Sequence, residues 1–404
     1  MANLLLQPEY RAVIYPEEVS TINYPNPEEY QRALQTAKNT AQTIGHWVME
    51  EWKNQDIFEK LMQMMILTAK HGVSYMQIFP DAVKEDIKTQ VYDAFDIYLM
   101  GNYTSIYDSP FICKAVPMLL GEIMANEEFD EQARMSIAED NKYAQSAVKE
   151  SYMRSRFGGG NISEYGQTKI LKEAFFKEYL DNNNMKEVAR DLGDSFKEYE
   201  EGDIVIRQVF AVDGTTLKDT YLDMKEYPFV DLRLEPGPIY NTPLIERFIP
   251  ANKTLDMIVS RIERYLNTMM VGTWLKREGE HFGISNIPGG QLIEYKSVPP
   301  TQGAQANLPP YIFNMIELLE KFIEEQGTST SALSQIPSGV KSGVAIESLK
   351  ASEYANLKIA SSMLKQTVKN ISKRFIDIGD KYFVKPRTMI LLEKGEPKYY
   401  QLVG

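Results

Sequence analysis

Residues 254–270 read TLDMIVSRIERYLNTMM and residues 312–323 read IFNMIELLEKFI, and these two segments decide the fold. Each repeats apolar residues at steps of three and four, which places an apolar stripe along a helix. The stripes comprise Leu255, Ile258, Ile262, Leu266 and Met269 in the first segment, and Ile312, Met315, Leu319, Phe322 and Ile323 in the second. Pro243 and Gly272 bound the first expected helix. Because this helix pair is too long and too sparsely apolar to form a core alone, we expect it to pack against other copies of the chain.

A third helix is expected after a polar, glycine-rich loop that runs from residue 328 to residue 343. Its apolar residues form one stripe, which comprises Leu357, Ala360, Leu364, Val368, Ile371, Phe375 and Ile378. Its lysines lie off that stripe, and they are Lys350, Lys358, Lys365, Lys369 and Lys373. Two interpretations stay open for these lysines: a solvated basic face, or a sparse set of positive charges that faces a polyanion.

An insert separates the first two helices and occupies residues 273–308. Trp274–Lys276 and Gln291–Tyr295 are expected as short strands, and glycines and prolines interrupt the sequence around them. We therefore expect a small β-containing insert at the end of a helical hairpin.

The first 242 residues have the mixed pattern of an α+β fold. Helices are expected over residues 27–52, 56–70, 111–156 and 168–180. Strands are expected over residues 73–79, 91–99, 204–212 and 216–223. Asp213-Gly214, between the last two strands, is typical of a tight β-hairpin turn. A second hairpin is expected over residues 388–392 and 399–403.

The chain has 404 residues and a formal net charge of −12. This acidic balance argues against a protein that grips nucleic acid over a broad basic surface, but it leaves open a protein past which nucleic acid must slide without sticking. Because no run of about 18 apolar residues is present, we expect no membrane-spanning helix. The segment Met1–Leu4 lacks the features of a secretory signal, and the single cysteine, Cys113, fits a reducing compartment.

The sequence contains no recognised catalytic or metal-binding motif. The three histidines are widely separated in the chain, at His46, His71 and His281. Asp231, Arg233 and Glu235 alternate as they would on one face of a strand. This alternation is found in metal-dependent nuclease sites and also on ordinary half-exposed strands. We expect no enzymatic activity, no cofactor and no metal, with a metal-dependent nuclease as the alternative.

Four segments carry a resemblance to a known family by their order along the chain. They are AKHGVSYMQI at 69–78, EPGPIYNTPL at 235–244, PANKTLD at 250–256 and PSGVKSGVAI at 337–346. Together with the helix–insert–helix arrangement, they resemble the portal proteins of tailed double-stranded DNA bacteriophages. The likeness covers most of the chain and lies in the order of the elements, since no single motif is diagnostic.

The resemblance implies a portal-like α+β fold with an α/β wing, a two-helix stem, a small β-containing clip and a long C-terminal wing helix. The implied segments are the N-terminal arm and wing at 1–242, the first stem helix at 243–272, the clip at 273–308, the second stem helix at 309–327, the tunnel loop at 328–343, the long wing helix at 344–380 and a C-terminal β-hairpin or reduced crown at 381–404. Members of the family often carry a larger helical crown. Because only about 25 residues follow Gly379, we expect a reduced or absent crown.

The resemblance also implies a ring, normally of twelve subunits, at one capsid vertex of the virion, assembled in the host cytoplasm. Double-stranded DNA would pass through this ring without sequence specificity, driven inward by the terminase large subunit and later ejected. The other implied partners are the major capsid and scaffolding proteins and a head-tail adaptor. A different ring-forming head-tail adaptor is a further alternative, although adaptors are usually shorter and lack the helix–insert–helix arrangement.

Two sets of site residues follow from the resemblance as hypotheses. The set that would face DNA in the tunnel comprises Lys341, Ser342, Lys350 and Lys358. The set on the clip that would face the motor or adaptor comprises Trp274, Lys276, Arg277, His281 and Tyr295. In a ring, one lysine per subunit would form a positive belt whose contacts are weak, because salt screens charges over about 8 Å. Weak contacts suit a surface past which DNA moves.

Overall fold

The computed structural model describes residues 27–81, 86–139, 168–266, 273–279, 291–297, 311–326, 343–382, 387–393 and 396–402. Over these residues the protein is α+β, as the sequence predicts. The chain divides into two compact units. The first unit comprises Met1–Pro243 and Lys358–Gly404, and the second comprises Leu244–Leu357.

The helices and strands are numbered here in chain order. The helices are α1 (Pro27–Asn54), α2 (Ile57–His71), α3 (Leu120–Ala125), α4 (Glu131–Glu139), α5 (Met185–Leu192), α6 (Ile249–Tyr265), α7 (Tyr311–Gln326) and α8 (Gly343–Tyr382). The strands are β1 (Ser74–Asp81), β2 (Asp86–Asp93), β3 (Ile97–Leu99), β4 (Phe111–Leu119), β5 (Thr168–Tyr179), β6 (Ile204–Val212), β7 (Thr215–Leu222), β8 (Phe229–Leu232), β9 (Thr273–Arg277), β10 (Gln291–Tyr295), β11 (Arg387–Glu393) and β12 (Glu396–Leu402).

A three-stranded antiparallel sheet in the order β2-β1-β8 packs against α2 in the first unit. Gly72 ends α2 with a φ of 87°, which a side chain rarely tolerates. A Cβ atom on Gly72 would lie 2.2 Å from the backbone oxygen of Asn241. Thr68 Oγ1 lies 2.8 Å from Ser74 Oγ and 3.1 Å from the backbone oxygen of Leu232. The end of α2 is therefore packed directly on two later parts of the chain.

A five-stranded antiparallel sheet in the order β3-β4-β5-β6-β7 forms the other sheet of the first unit. The predicted hairpin between β6 and β7 is confirmed, with Asp213 at φ 49° and Gly214 at φ 92°. Positive φ at both central residues is what a type I′ turn requires, and its twist matches that of the strands.

The predictions of helix over residues 111–119 and 168–180 are wrong, because these segments form β4 and β5. The error has a physical origin in β5, whose leucine, lysine, glutamate and alanine residues favour helices locally. In the sheet, the buried positions of β5 alternate through Lys169, Leu171, Glu173 and Phe175. Pairing with β4 on one side and β6 on the other overrides the local preference.

The strand predicted over residues 91–99 is divided in two by a turn at Asp93–Asp96. The backbone N–H of Asp96 donates to the backbone oxygen of Asp93 at 3.1 Å and closes this turn. The part before the turn belongs to β2 in the three-stranded sheet, and the part after it is β3 in the five-stranded sheet. The chain thus crosses from one sheet to the other at a point that a continuous β-branched and aromatic pattern does not reveal.

Buried polar side chains connect the two sheets. Lys114 on β4 forms an ion pair with Glu173 on β5, and its Nζ donates to Gln77 Oε1 on β1 at 2.8 Å. Gln77 Nε2 donates in turn to Glu173 Oε1 at 3.2 Å. Burial alone would lower the pKa of Lys114, but the Glu173 carboxylate and the Tyr92 hydroxyl together outweigh burial and raise it. Lys114 therefore stays charged, and its contacts fix how β1 meets β4 and β5.

The C-terminal part of α8 belongs to the first unit and presents the predicted apolar stripe to its core. The stripe is confirmed at six buried positions, which are Ala360, Leu364, Val368, Ile371, Phe375 and Ile378. The side chain of Leu357 lies outside the described residues. Gly379 continues the packed face, since a Cβ atom there would lie 2.5 Å from the Trp47 ring of α1. Thr367 Oγ1 also lies 3.0 Å from the backbone oxygen of Asp231 on β8.

Ion pairs attach α8 to the segment that joins β7 to β8. Arg374 pairs with Glu226, and its Nη1 lies 3.2 Å from Asp377 Oδ2. Two turns after Arg374, Lys381 Nζ lies 2.5 Å from Asp223 Oδ1. Removing a carboxylate beside the buried Arg374 leaves the guanidinium charge poorly solvated, so these contacts specify where the helix docks.

Lowering the pH is expected to weaken the attachment of α8, because it protonates Glu226 and removes the charge that pairs with Arg374. Burial alone would raise the pKa of Glu226, but the cations of Arg374 and Lys373 outweigh burial and hold it below its ordinary value of 4.5. A carboxyl group whose pKa is depressed in the folded state stabilises the fold above its unfolded-state pKa, and this contribution is lost as pH falls through the folded-state pKa. We therefore expect the free energy of unfolding of the wild type to fall more steeply below about pH 4.5 than that of Glu226→Gln. Denaturant unfolding across a pH series measures both, and parallel curves would contradict the assignment.

The second unit contains α6, the β9–β10 pair and α7. A helix is present in each segment where the periodicity predicts one, and α6 and α7 pack against each other. The chain before α6, Leu244–Phe248, is a short 3₁₀ helix, so the α-helix begins later than Pro243. The predicted short strands of the insert are confirmed as β9 and β10, which pair in parallel.

The predicted C-terminal hairpin is confirmed as β11 and β12, which pair antiparallel in the first unit. Of the predicted loop at residues 328–343, residues 328–342 lie outside the described residues, and Gly343 is the first residue of α8. Among the helices that the structure describes, none combines the length and apolar character needed to cross a bilayer.

Candidate assembly surface

Helix α7 carries two apolar stripes, and they differ in burial. The half-buried stripe comprises Ile312, Ile316, Leu319 and Ile323. The exposed stripe comprises Tyr311, Met315, Leu318 and Phe322, whose side chains are 67%, 44%, 67% and 44% exposed. Both follow the spacing i, i+4, i+7, i+11, and the offset of one residue turns the second about 100° from the first. Within the second unit, only one of the two stripes of α7 is partly covered by other residues.

Helix α6 repeats this division on a smaller scale. Leu255, Ile258 and Ile262 are half-buried, whereas Val259 and Leu266 are exposed. Val259 and Leu266 are seven residues apart, so they lie on the same side of the helix, next to the half-buried stripe. The exposed apolar groups therefore flank the seam between the two helices.

Each stripe expected from the sequence divides between a half-buried and an exposed face. Met315 and Phe322 are exposed although Ile312 is half-buried, and on α6 Leu266 is exposed although Ile262 is half-buried. Met269 lies outside the described residues. The sequence reading missed Tyr311 and Leu318, which complete the exposed stripe. A second three-and-four pattern, shifted by one residue from the first, is the feature that could have identified them.

The polar faces of the two helices carry opposite charge. On α6, Lys253, Arg261 and Arg264 are exposed and share a face with Met257, at the spacing i, i+4, i+8, i+11. On α7, Glu317 and Glu320 are exposed and share a face with Phe313, at the spacing i, i+4, i+7, and Lys321 is exposed at i+8 on the edge of this face, which keeps a net negative charge. The side chains of Met257 and Phe313 are 46% and 54% exposed. One helix thus offers a basic face and the other an acidic face, each with an exposed apolar side chain.

This arrangement suits association better than chemistry. Fully burying a large apolar side chain gains about 1.5–3 kcal/mol, so the exposed stripe of α7 is a substantial reserve of binding energy. Contiguous exposed apolar surface rimmed by charge marks a binding surface in soluble proteins. We refer to the exposed stripe of α7 and the two charged faces together as the hairpin surface.

The residues of the predicted clip set lie partly on the β9–β10 pair. Arg277 on β9 and Tyr295 on β10 are paired in register, and the structure thus brings these two together. Arg277 is exposed, and Tyr295 is half-buried. Trp274 and Lys276 lie on β9, but their side chains are outside the described residues, as is His281.

The structure describes the side chain of only one residue of the predicted DNA-facing set. Lys358 is exposed on α8, and Lys350 lies on the same helix with its side chain outside the described residues. Lys341 and Ser342 precede α8 and lie outside the described residues. Among the other lysines of this helix, Lys365, Lys369 and Lys373 are exposed. Their exposure is required by both interpretations, the solvated basic face and the set of charges that faces a polyanion.

Asp231, Arg233 and Glu235 do not lie together on one strand, as their alternation in the sequence suggests. β8 ends at Leu232 and is buried along its length, so Arg233 and Glu235 do not continue a half-exposed strand. Asp231 Oδ2 accepts a hydrogen bond from Arg233 Nε at 2.8 Å. Burial raises the pKa of Asp231, and Arg233 opposes that rise. In the part of the chain that the structure describes, no group of three or more histidine, cysteine or acidic side chains is arranged to hold a metal ion.

Comparison with known proteins gives no family assignment. No model of a known protein family matches the chain, and no curated protein matches it significantly in sequence.

Proposed function

We propose that the protein is a portal protein of a tailed double-stranded DNA bacteriophage and forms the ring at the unique capsid vertex. In this proposal the ring is the conduit through which the terminase large subunit packages the genome and through which DNA is later ejected. The ring also contacts the major capsid and scaffolding proteins, and it is the attachment site for head-tail adaptors. The protein is then a virion component assembled in the host cytoplasm, and it carries no catalytic site.

The observation that carries the proposal is the hairpin surface. A helix pair that leaves a complete apolar stripe exposed needs a partner, and further copies of the same chain supply one. The order of elements adds support: two helices bracket a small pair of strands, and a 40-residue helix follows. This order is the one on which the resemblance to portal proteins rests.

The charges of the hairpin surface make it complementary between copies of the chain. In a ring, two different surfaces of neighbouring subunits meet. The basic face of α6 in one copy would meet the acidic face of α7 in the next. Opposite charges that meet across an interface fix its register and exclude self-pairing of like faces.

The electrostatics of the chain fit a passage for DNA. A chain with a net charge of −12 offers little sequence-independent affinity for phosphates, so DNA would not adhere to it broadly. Exposed lysines on α8, such as Lys358 and Lys365, would supply few and weak contacts in each subunit. The proposed tunnel set of Lys341, Ser342, Lys350 and Lys358 and the proposed clip set around Arg277 and Tyr295 belong to this proposal.

The mass of the purified protein under native conditions tests the proposal. We expect an assembly of about twelve chains of 46.3 kDa each, and negative-stain images with a central hole wide enough for duplex DNA. A protein that remains monomeric or dimeric at every concentration would contradict the ring. A ring with metal-dependent cleavage of DNA would instead favour a nucleic-acid enzyme.

A further inference from the structure

The five-stranded sheet of the first unit has an inner and an outer face, which the strand register separates. Ile112, Phe175 and Ile206 belong to the buried core between the two sheets and therefore lie on the inner face. Successive side chains of a strand point to opposite faces, and directly paired residues share a face. The outer face thus includes one row of Tyr98, Cys113, Ala174 and Val209 and a second row of Phe111 and Phe176. We refer to these six residues as the outer sheet face.

The outer sheet face is apolar, whereas a sheet face in water is normally polar. An antiparallel sheet with one face in solvent alternates apolar residues inside with polar residues outside. On β5, however, the outward Ile170, Ala174 and Phe176 are as apolar as the inward Leu171 and Phe175. The strand therefore has the pattern of one that is covered on both sides.

The structure leaves the outer sheet face partly uncovered. Tyr98 is 48% exposed, and the other five residues of the face are half-buried. The ring centroids of Phe111 and Phe176 lie 4.9 Å apart, so the two side chains form one continuous apolar surface. With the neighbouring Met100, which is 62% exposed, the face offers on the order of 300 Å² of apolar surface. Patches of this size on soluble proteins are often functional, and it is roughly a third of what each partner contributes to a standard interface.

The charges around the outer sheet face allow a protein partner to cover it. At one edge, Arg207 pairs with Asp219 at 2.6 Å and with Glu178 at 3.2 Å. Lys172, at the rim, is exposed and long enough to keep its charge in water. Covering the face would therefore leave no charge buried without a partner. An uncharged centre with aromatic side chains is also the composition of the buried centre of protein interfaces.

We propose that the outer sheet face is a contact between neighbouring copies of this chain, in addition to the contact that the hairpin surface makes. An apolar protein surface fits this face, and another copy is the partner that the proposed ring brings next to it. This inference rests on the proposed function, because a neighbouring copy is present only if the chain assembles. It adds a contact in the first unit, which the hairpin surface of the second unit does not involve.

Cys113 reports on whether the face is covered, because it lies on the outer sheet face and is the only cysteine in the chain. The rate at which N-ethylmaleimide modifies its thiol is measured in rings and in free subunits. Free subunits are obtained by dilution of the wild type and with Leu318→Glu, a substitution in the exposed stripe of α7. A covered thiol reacts only while the contact is open, so we expect the rate to be about tenfold or more lower in rings.

Equal rates in rings and free subunits would overturn the inference. Rates that are equally fast would show that no copy covers the face in the ring. Rates that are equally slow would show that the chain itself covers Cys113. Wild-type protein that forms no ring would instead contradict the proposed function, so the two failures are distinguishable.

Tyr98→Glu provides a second measurement, because it places a carboxylate in the proposed contact. It should weaken assembly by about tenfold or more, as measured by sedimentation velocity at a fixed protein concentration. Phe58→Glu is the matched control, since Phe58 is also 48% exposed but lies on α2, and its rings should persist. Equal assembly of the two variants would show that the outer sheet face is not a contact between copies.

Discussion

Replacing Leu318 by glutamate is expected to convert the proposed ring into free subunits of 46.3 kDa. Leu318 is 67% exposed in the single chain, at the middle of the exposed stripe of α7. In the assembled protein this stripe would be buried, and an unpaired carboxylate buried there costs several kcal/mol. Since every 1.4 kcal/mol is a factor of ten in affinity, each contact would weaken by about a hundredfold or more. Sedimentation velocity at a fixed protein concentration measures the loss.

Two controls separate this effect from unfolding and from charge alone. Leu318→Met keeps an apolar side chain of similar volume, so its rings should persist. Gln63→Glu adds the same charge at an exposed position of α2 in the first unit, and it should also leave assembly unchanged. The single-chain fold of Leu318→Glu should keep its stability to within about 0.5 kcal/mol, because the side chain is exposed there. Rings of normal mass in Leu318→Glu would show that the exposed stripe is not the contact between subunits.

Replacing Gly72 by alanine is expected to lower the free energy of unfolding by about 2–5 kcal/mol. Part of the loss is conformational, because a φ of 87° is strained for a residue with a Cβ atom. The rest is steric, because the new Cβ would meet the backbone oxygen of Asn241 at 2.2 Å. A backbone atom cannot move aside as the end of a flexible side chain does, so the α2–β1 turn and the segment before Pro243 must shift. Denaturant unfolding monitored by circular dichroism measures the change.

Gly202→Ala separates the two causes. Gly202 also has a positive φ, at 95°, but no atom lies within 4 Å of the position that a Cβ would take. Its alanine variant should therefore lose only the conformational part, about 1–2 kcal/mol. If Gly72→Ala and Gly202→Ala lose the same stability, the close approach of Asn241 does not restrain the fold.

The parts of the fold that could be predicted are those in which local pattern and tertiary environment agree. Asp213-Gly214 specifies its hairpin because the turn needs positive φ at both residues, and the buried stripe of α8 follows directly from a three-and-four repeat. The strand β5 could not be recognised, because its buried Lys169 and Glu173 are acceptable only beside partners far away in sequence. Lys114 and Gln208, for example, approach Glu173 from β4 and β6.

The candidate site was predictable in outline and not in detail. The sequence indicates that the helix pair has more apolar surface than it can cover, but not which stripe of α7 is covered, because both stripes have the same spacing. Packing against α6 decides that Ile312 faces the seam and that Leu318 does not. In the first unit, the surroundings of Arg374 are also unpredictable from the sequence, because nothing near Arg374 in the chain indicates that Glu226 and Tyr107 will contact it.

The division of the first unit between two separate parts of the chain has a consequence for its biogenesis. Residues 244–357 lie between the two parts, so the ribosome must add more than a hundred residues after Pro243 before α8 can dock. At about 5–20 residues per second, the nascent chain waits for several seconds or longer with the acceptor surface for Leu364, Ile371 and Phe375 uncovered. Until α8 docks, the core of the first unit is incomplete, and this waiting intermediate is the natural client for a chaperone.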